Sequence, residues 1–207
     1  MPENVLDEIR QWTKDNFTPA NKIQQIYLQK GGWEGWAQVE LALHFTAIGG
    51  WNCQREILVY HGSQKRADLL LTAEDGPPNT TIIELKTEAL WRDDDGADKF
   101  VKSMKEDLYK IDHNNIDPKY LPVRLVVFGC TFVPTVSEYA TNPANWGQYA
   151  PYITGMKLLG SPNDFFGLYS WSLDIEVLAD GKVEFSSSRV HDGGMEVEGQ
   201  TLSSQLS

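Results

Sequence analysis

Two acids and a lysine interrupt apolar runs in the middle of the chain. Asp68 stands in RADLLLTA (66–73), and Glu84 and Lys86 in TTIIELKT (80–87). Side chains alternate faces along a strand, so Ile82, Glu84 and Lys86 share one face while Ile83 and Leu85 take the other. An acid beside a lysine at the edge of a core carries a desolvation cost unless something pairs with them or binds them. If the two strands pair antiparallel about the turn-forming EDGPPN (74–79), Asp68 and Glu84 come together. Carboxylates held within roughly 4–5 Å of each other repel, and a divalent cation relieves the repulsion. An all-oxygen site favours Mg2+ or Mn2+ over Zn2+, which prefers His and Cys. The neighbouring lysine could orient or polarise a water, or stabilise charge on a phosphate oxygen. For a lone E-x-K a same-face ion pair is the plainer reading, and Asp68 alone reads as a solvated strand end. The joint pattern carries the weight.

The elements that must position these residues are legible from period and punctuation. Residues 1–30 read as a helical segment in two pieces, broken near Thr18-Pro19. GWEGWAQVELALHFTAIGG reads as a helix stopped by Gly49-Gly50. Strands are predicted at 55–61, 66–73 and 80–87, with a short GSQK link between the first two. After the acidic loop 92–98, the stretch 99–111 is an amphipathic helix with Phe100, Met104, Leu108 and Ile111 on one face. The continuous apolar run 122–132 has the character of a strand buried on both sides. Residues 133–190 form an aromatic-rich elaboration that includes a β-hairpin at 171–187 centred on Asp180-Gly181, and 191–207 read as a flexible polar tail.

This order of helix, three strands, helix and strand, carrying Asp68 and then Glu84-Leu85-Lys86, resembles the PD-(D/E)XK nuclease superfamily with its restriction-endonuclease-like fold. The resemblance covers about residues 33–132, inside a single 207-residue α/β domain. Ala67 stands where that superfamily often has Pro. The resemblance implies a hydrolase, an endonuclease-type phosphodiesterase acting on nucleic acid, DNA more than RNA. Asp68 and Glu84 would be its metal ligands, the Leu85 carbonyl a further one, and Lys86 would position the attacking water. Such families often add an acid from the first helix. Glu40 is the matching candidate, on a stripe with Trp36, Leu43 and Ala47 read as core-facing, although it could instead pair with His44. Lys102 and Lys105 on the second helix could meet backbone phosphates, with solvated lysines the plainer alternative.

The composition constrains the partners. A net charge of −11 argues against loose, unspecific polyanion binding. From Trp171 onward seven acids face Lys182 and Arg189, so the C-terminal end holds much of the excess, while the segment 99–124 is locally richer in lysine. The acidic balance and the aromatic elaboration suit a protein partner. The competing expectation is therefore an inactive nuclease-like fold serving as a protein-interaction or nucleic-acid-binding module. Cutting both strands of a duplex would imply a homodimer. No apolar run approaches the roughly 20 residues of a membrane-spanning helix, the acidic N-terminus is unlike a signal peptide, and Cys53 and Cys130 read as reduced thiols. An intracellular, membrane-free setting is expected. The Asp93–Asp95 run lacks the spaced ligands of a calcium loop, and His61 is a minor candidate for approach to the site.

Overall fold

The chain is described by a computed structural model at residues 5–16, 33–73, 80–88, 96–110, 116–131, 133–150, 157–158, 169–178, 180 and 183–186. Helices α1 (Val5–Asn16) and α2 (Glu34–Ile48) precede strands β1 (Trp51–Ile57), β2 (Ala67–Ala73) and β3 (Thr80–Thr87). Helix α3 (Gly96–Lys110), β4 (Val123–Thr131) and α4 (Pro134–Thr141) follow, and then β5 (Lys157–Leu158), β6 (Tyr169–Val177) and β7 (Val183–Ser186). The seven described strands make one mixed sheet in the order β1-β2-β3-β4-β6-β5, with β7 also paired to β6. Strands β1, β2 and β3 are antiparallel neighbours, whereas β3 and β4 run parallel. A parallel pair needs a crossover, and α3 supplies it.

Alternation along the strands divides the core in two. Leu69, Leu71, Ile83, Leu85, Val126 and Phe128 point to the layer of α1 and α2, packing with Ile9, Trp12, Ala37, Leu41 and Phe45. Leu70, Ile82, Leu125 and Val127 point to the layer of α3 and α4, with Phe100, Met104, Leu108, Val136 and Trp146. Strands β3 and β4 are thus covered on both faces, as their near-continuous apolar sequences require. Helix α2 stops where expected. Gly49 and Gly50 take φ of 76° and 79°, a left-handed backbone that L side chains resist.

Several boundaries differ from the sequence expectation. The first strand starts at Trp51 and ends at Ile57, earlier than 55–61. Glu56 has φ 54°, which breaks the extended path. Beyond it the Val59 carbonyl accepts from the Asp117 amide at 2.8 Å, and Tyr60 bridges Ile116. Val59 and Tyr60 therefore leave the sheet and pack with the α3 layer, while Leu58 is exposed. On α2 the buried stripe is Ala37, Gln38, Leu41 and Phe45, and Leu43 is 60 % exposed. A helix apolar on nearly every side gives its period no face to report.

Helix α3 begins at Gly96, three residues before the expected start. The elaboration contains helix α4, which sends Val136 and Ala140 into the core alongside Trp146. The hairpin pairs β6 with β7 in a register that places residue 180 at its centre, as the Asp-Gly signal predicts. The second N-terminal helical piece, the Asp93–Asp95 run, Ile111 and the tail lie outside the described residues. Among the described residues no helix is long and apolar enough to cross a membrane.

Candidate active site: a carboxylate–lysine cluster where two strands part

The β2–β3 ladder runs from Thr72↔Thr80 to Leu69↔Ile83 and stops there. The same register would set Asp68 opposite Glu84, and residues opposite each other share a face. Backbone pairing is replaced at that point by a side chain. Asp68 Oδ2 accepts the Leu85 amide at 2.6 Å, and its Oδ1 accepts from Gln38 Nε2 at 2.8 Å. Gln38 is itself held by Arg55, whose Nη2 donates to Gln38 Oε1 at 3.1 Å. Strand β3 continues beside β4 as far as Thr87↔Cys130. Glu84 and Lys86 thus lie on a strand whose β2 neighbour has left.

Glu84 is 1 % exposed and has a partner for each oxygen. The Tyr60 hydroxyl donates to Oε1, and Lys110 Nζ donates to Oε2 at 3.0 Å. Lys110 also pairs with Asp107 Oδ1 at 2.6 Å. Lys86 Nζ lies 3.4 Å from Asp107 Oδ2 and 3.5 Å from Glu34 Oε1, and Glu34 Oε2 accepts the Thr87 amide at 3.2 Å. Asp107 Oδ2 is buried and makes no hydrogen bond. Helices from both layers therefore reach one end of the sheet, α2 through Glu34 and Gln38, and α3 through Asp107 and Lys110.

The charges do not balance. Four carboxylates (Glu34, Asp68, Glu84 and Asp107) stand among two ammonium groups in this network. Fully ionised, the cluster would hold two excess negative charges. Burial pushes the Asp68 carboxyl up to about 7; Glu34 and Asp107 add to the rise, while the Leu85 amide and Lys86 restrain it. Burial likewise raises Glu84 to about 8, against Lys110 and Tyr60 and with Asp68 and Asp107. Burial opposes the charged form of Lys86 and Lys110, but the surrounding carboxylates outweigh it and hold both above the ordinary lysine value. Protons held on Asp68 and Glu84 relieve that excess.

Of the residues singled out in the sequence, Asp68, Glu84, Leu85 and Lys86 come together. Glu40 does not. It lies 200° around α2 from Gln38 at 100° per residue, so it faces away from the cluster, and Glu34 is the acid this helix contributes. His44 pairs with Glu8 at 3.1 Å rather than with Glu40. Lys102 is exposed and Lys105 half-buried; both line a cleft that opens beside Lys86. His61 is exposed and makes no described contact with the cluster. Both cysteines are free.

Asp107, Lys110, Glu34, Gln38 and Tyr60 were missed by the sequence reading. Asp107 had a signal. It falls three residues after Met104 and seven after Phe100, an acid on the apolar face of an amphipathic helix. Tyr60 and Gln38 had none, since each depends on contacts between distant segments.

Among the described residues, no three His, Cys, Asp or Glu side chains converge as a metal-holding group. No family model matches this sequence. Comparison with curated proteins and with solved structures gives no match either.

Proposed function

We propose that the chain is a Mg2+- or Mn2+-dependent phosphodiesterase with a restriction-endonuclease-like core, a nuclease acting on DNA in preference to RNA. The observation that carries this reading is the juxtaposition of Asp68 with the Glu84–Lys86 strand where β2 leaves β3, in a cluster short of positive charge. The order of helix, three antiparallel strands, helix and parallel strand supports the same core.

The donor set fits a hard cation. Asp68 and Glu84 each keep acceptor lone pairs beyond their present hydrogen bonds. Because the Leu85 amide is directed to the β2 side, its carbonyl projects toward the same edge. Two carboxylates and a carbonyl suit Mg2+, which usually takes one or two carboxylates and completes its shell with waters and phosphate oxygens. When bound, the ion would supply charge neutralisation at the phosphate and acidify a water.

The chain's own groups have separate tasks. Lys86, steadied between Asp107 and Glu34, orients the attacking water and stabilises charge on a phosphate oxygen. Gln38 and the Leu85 amide fix the Asp68 carboxylate. Lys110 and Tyr60 fix Glu84. In the reaction, water oxygen bonds to phosphorus in line with the departing oxygen. That P–O bond breaks, and the leaving oxygen takes up a proton, giving an alcohol and a phosphomonoester.

A second reading has its own support. Every oxygen of Asp68 and Glu84 already has a protein partner, which also suits an inactive nuclease-like fold used as a binding or interaction module. Incubation with plasmid, single-stranded DNA and RNA, with Mn2+ or chelator, separates the two. The enzyme reading expects cleavage that needs the metal and falls at least about a hundredfold in Lys86→Ala and Asp68→Asn. Cleavage unchanged in both variants, or none on any substrate, would sink it.

A further inference from the structure

Six of the 18 lysines and arginines of this acidic protein line one cleft. A cleft of about 670 Å3 opens beside Lys86 and Lys110, walled by Lys65 and Arg66 from the β1–β2 link and by Lys102 and Lys105 from α3. Lys86 and Lys110 are engaged by the site's carboxylates. The other four present cations along the walls, and Glu106 and Asp107 are the acids that line the cleft with them. With a net charge of −11 over the chain, this concentration focuses attraction for a polyanion into the cleft instead of spreading it over the surface.

Lys102, Lys105 and Tyr109 fall at steps of three and four, so they form one stripe along α3. Tyr109 is 68 % exposed and lines the same cleft. An exposed ring beside a line of cations combines the two parts of a single-strand groove, charges for the backbone and a flat face for a base. A base inside a duplex has its faces covered by its neighbours and cannot use the ring. The four wall cations suit a short stretch of one strand.

We infer that this cleft binds single-stranded nucleic acid, with Lys65, Arg66, Lys102 and Lys105 on the phosphates and Tyr109 stacked on an unpaired base. The inference rests on the phosphodiesterase reading for its place beside the reacting centre, but binding can be tested without cleavage.

Fluorescence anisotropy in chelator, using labelled oligothymidylate, oligouridylate and a duplex of equal length, provides that test. The single strands bind at least about tenfold more tightly than the duplex, and the tighter of the two distinguishes DNA from RNA. The logarithm of affinity falls with the logarithm of salt concentration at a slope of about −3, the value for four phosphate contacts on a single strand. Lys102→Ala with Lys105→Ala makes the slope shallower by about 1.4. Tyr109→Ala weakens binding about tenfold with the slope unchanged, and Tyr109→Phe restores it. Duplex binding equal to or tighter than that of both strands, a slope unmoved by the double variant, or an inert Tyr109→Ala overturns the inference. Because the assay contains no metal, binding without any later cleavage rejects the enzyme reading alone. Metal-dependent cleavage without this binding pattern rejects the cleft alone.

Discussion

The Leu85 amide donates to Asp68 Oδ2 at 2.6 Å, so a side chain closes the β2–β3 ladder that backbone groups hold from Leu69↔Ile83 onward. This bond fixes a carboxylate at the point where the strands separate. It also gives Asp68→Ala two consequences at once, a lost candidate ligand and a strand amide without its partner. Asp68→Asn retains an oxygen for the amide and is the better probe of charge.

Metal-free protein should lose stability as pH rises from about 4 to about 8. The Asp68 and Glu84 carboxyls are raised to about 7 and about 8, above ordinary carboxylate values near 4. The folded state therefore binds more protons than the unfolded chain across that window, and stability is lost as those protons leave. Thermal melts in chelator at pH 5 and pH 8 should show a lower Tm at pH 8. The fall should be smaller in Asp68→Asn by about 2–4 °C, on the order of 1 kcal/mol for a chain of this size. Equal pH dependence in the two proteins would show that the Asp68 charge does not set stability.

Glu34 and Glu40 should separate cleanly. Glu34→Gln weakens the anchor on Lys86 and should slow metal-dependent cleavage about tenfold, whereas Glu40→Gln should leave the rate within about twofold of wild type. Rate constants at saturating substrate decide it, and the reverse ranking would restore Glu40 to the site.

Asp107 positions both lysines, and Asp107→Asn should move a pH profile as well as a rate. Loss of this carboxylate removes the strongest attraction that favours the charged form of Lys86. The alkaline limb of the cleavage profile should shift to lower pH, with a rate loss of about tenfold. Asp107→Ala leaves two half-buried ammonium groups with one carboxylate each, Lys86 with Glu34 and Lys110 with Glu84, and should cost about 1–3 kcal/mol in urea melts.

Tyr60→Phe deletes the hydroxyl that donates to Glu84 Oε1. With Glu84 buried, the unmet acceptor should cost about 1–3 kcal/mol of unfolding free energy while the ring continues to fill the core. Equilibrium denaturation compared with wild type measures it, and a neutral result would mean that Glu84 finds another donor.

Much of this was legible in the sequence because it was written locally. Strand β3 matches its expected range of 80–87, since TTIIELKT is a largely apolar, β-branched run that follows a strong turn signal in the sequence. Helix α2 ends at its glycine pair. The triad Asp68, Glu84 and Lys86 was readable because each breaks an apolar run. The supporting residues were less accessible. Glu34 and Gln38 reach the site only through the rotation of α2, which an all-round apolar helix does not reveal. Tyr60 looked like the continuation of a strand, and only the turn at Glu56 and the Val59–Asp117 hydrogen bond carry it under α3.

The most direct test of the central claim, that Asp68 and Glu84 form one divalent-cation site, is anomalous diffraction from crystals of the protein soaked in Mn2+. A manganese peak is expected within coordination distance, about 2.0–2.3 Å, of one oxygen of each carboxylate, next to the Leu85 carbonyl, and lost in Asp68→Asn. A peak elsewhere on the chain, or none at saturating Mn2+ with Lys110 still on Glu84, would contradict it.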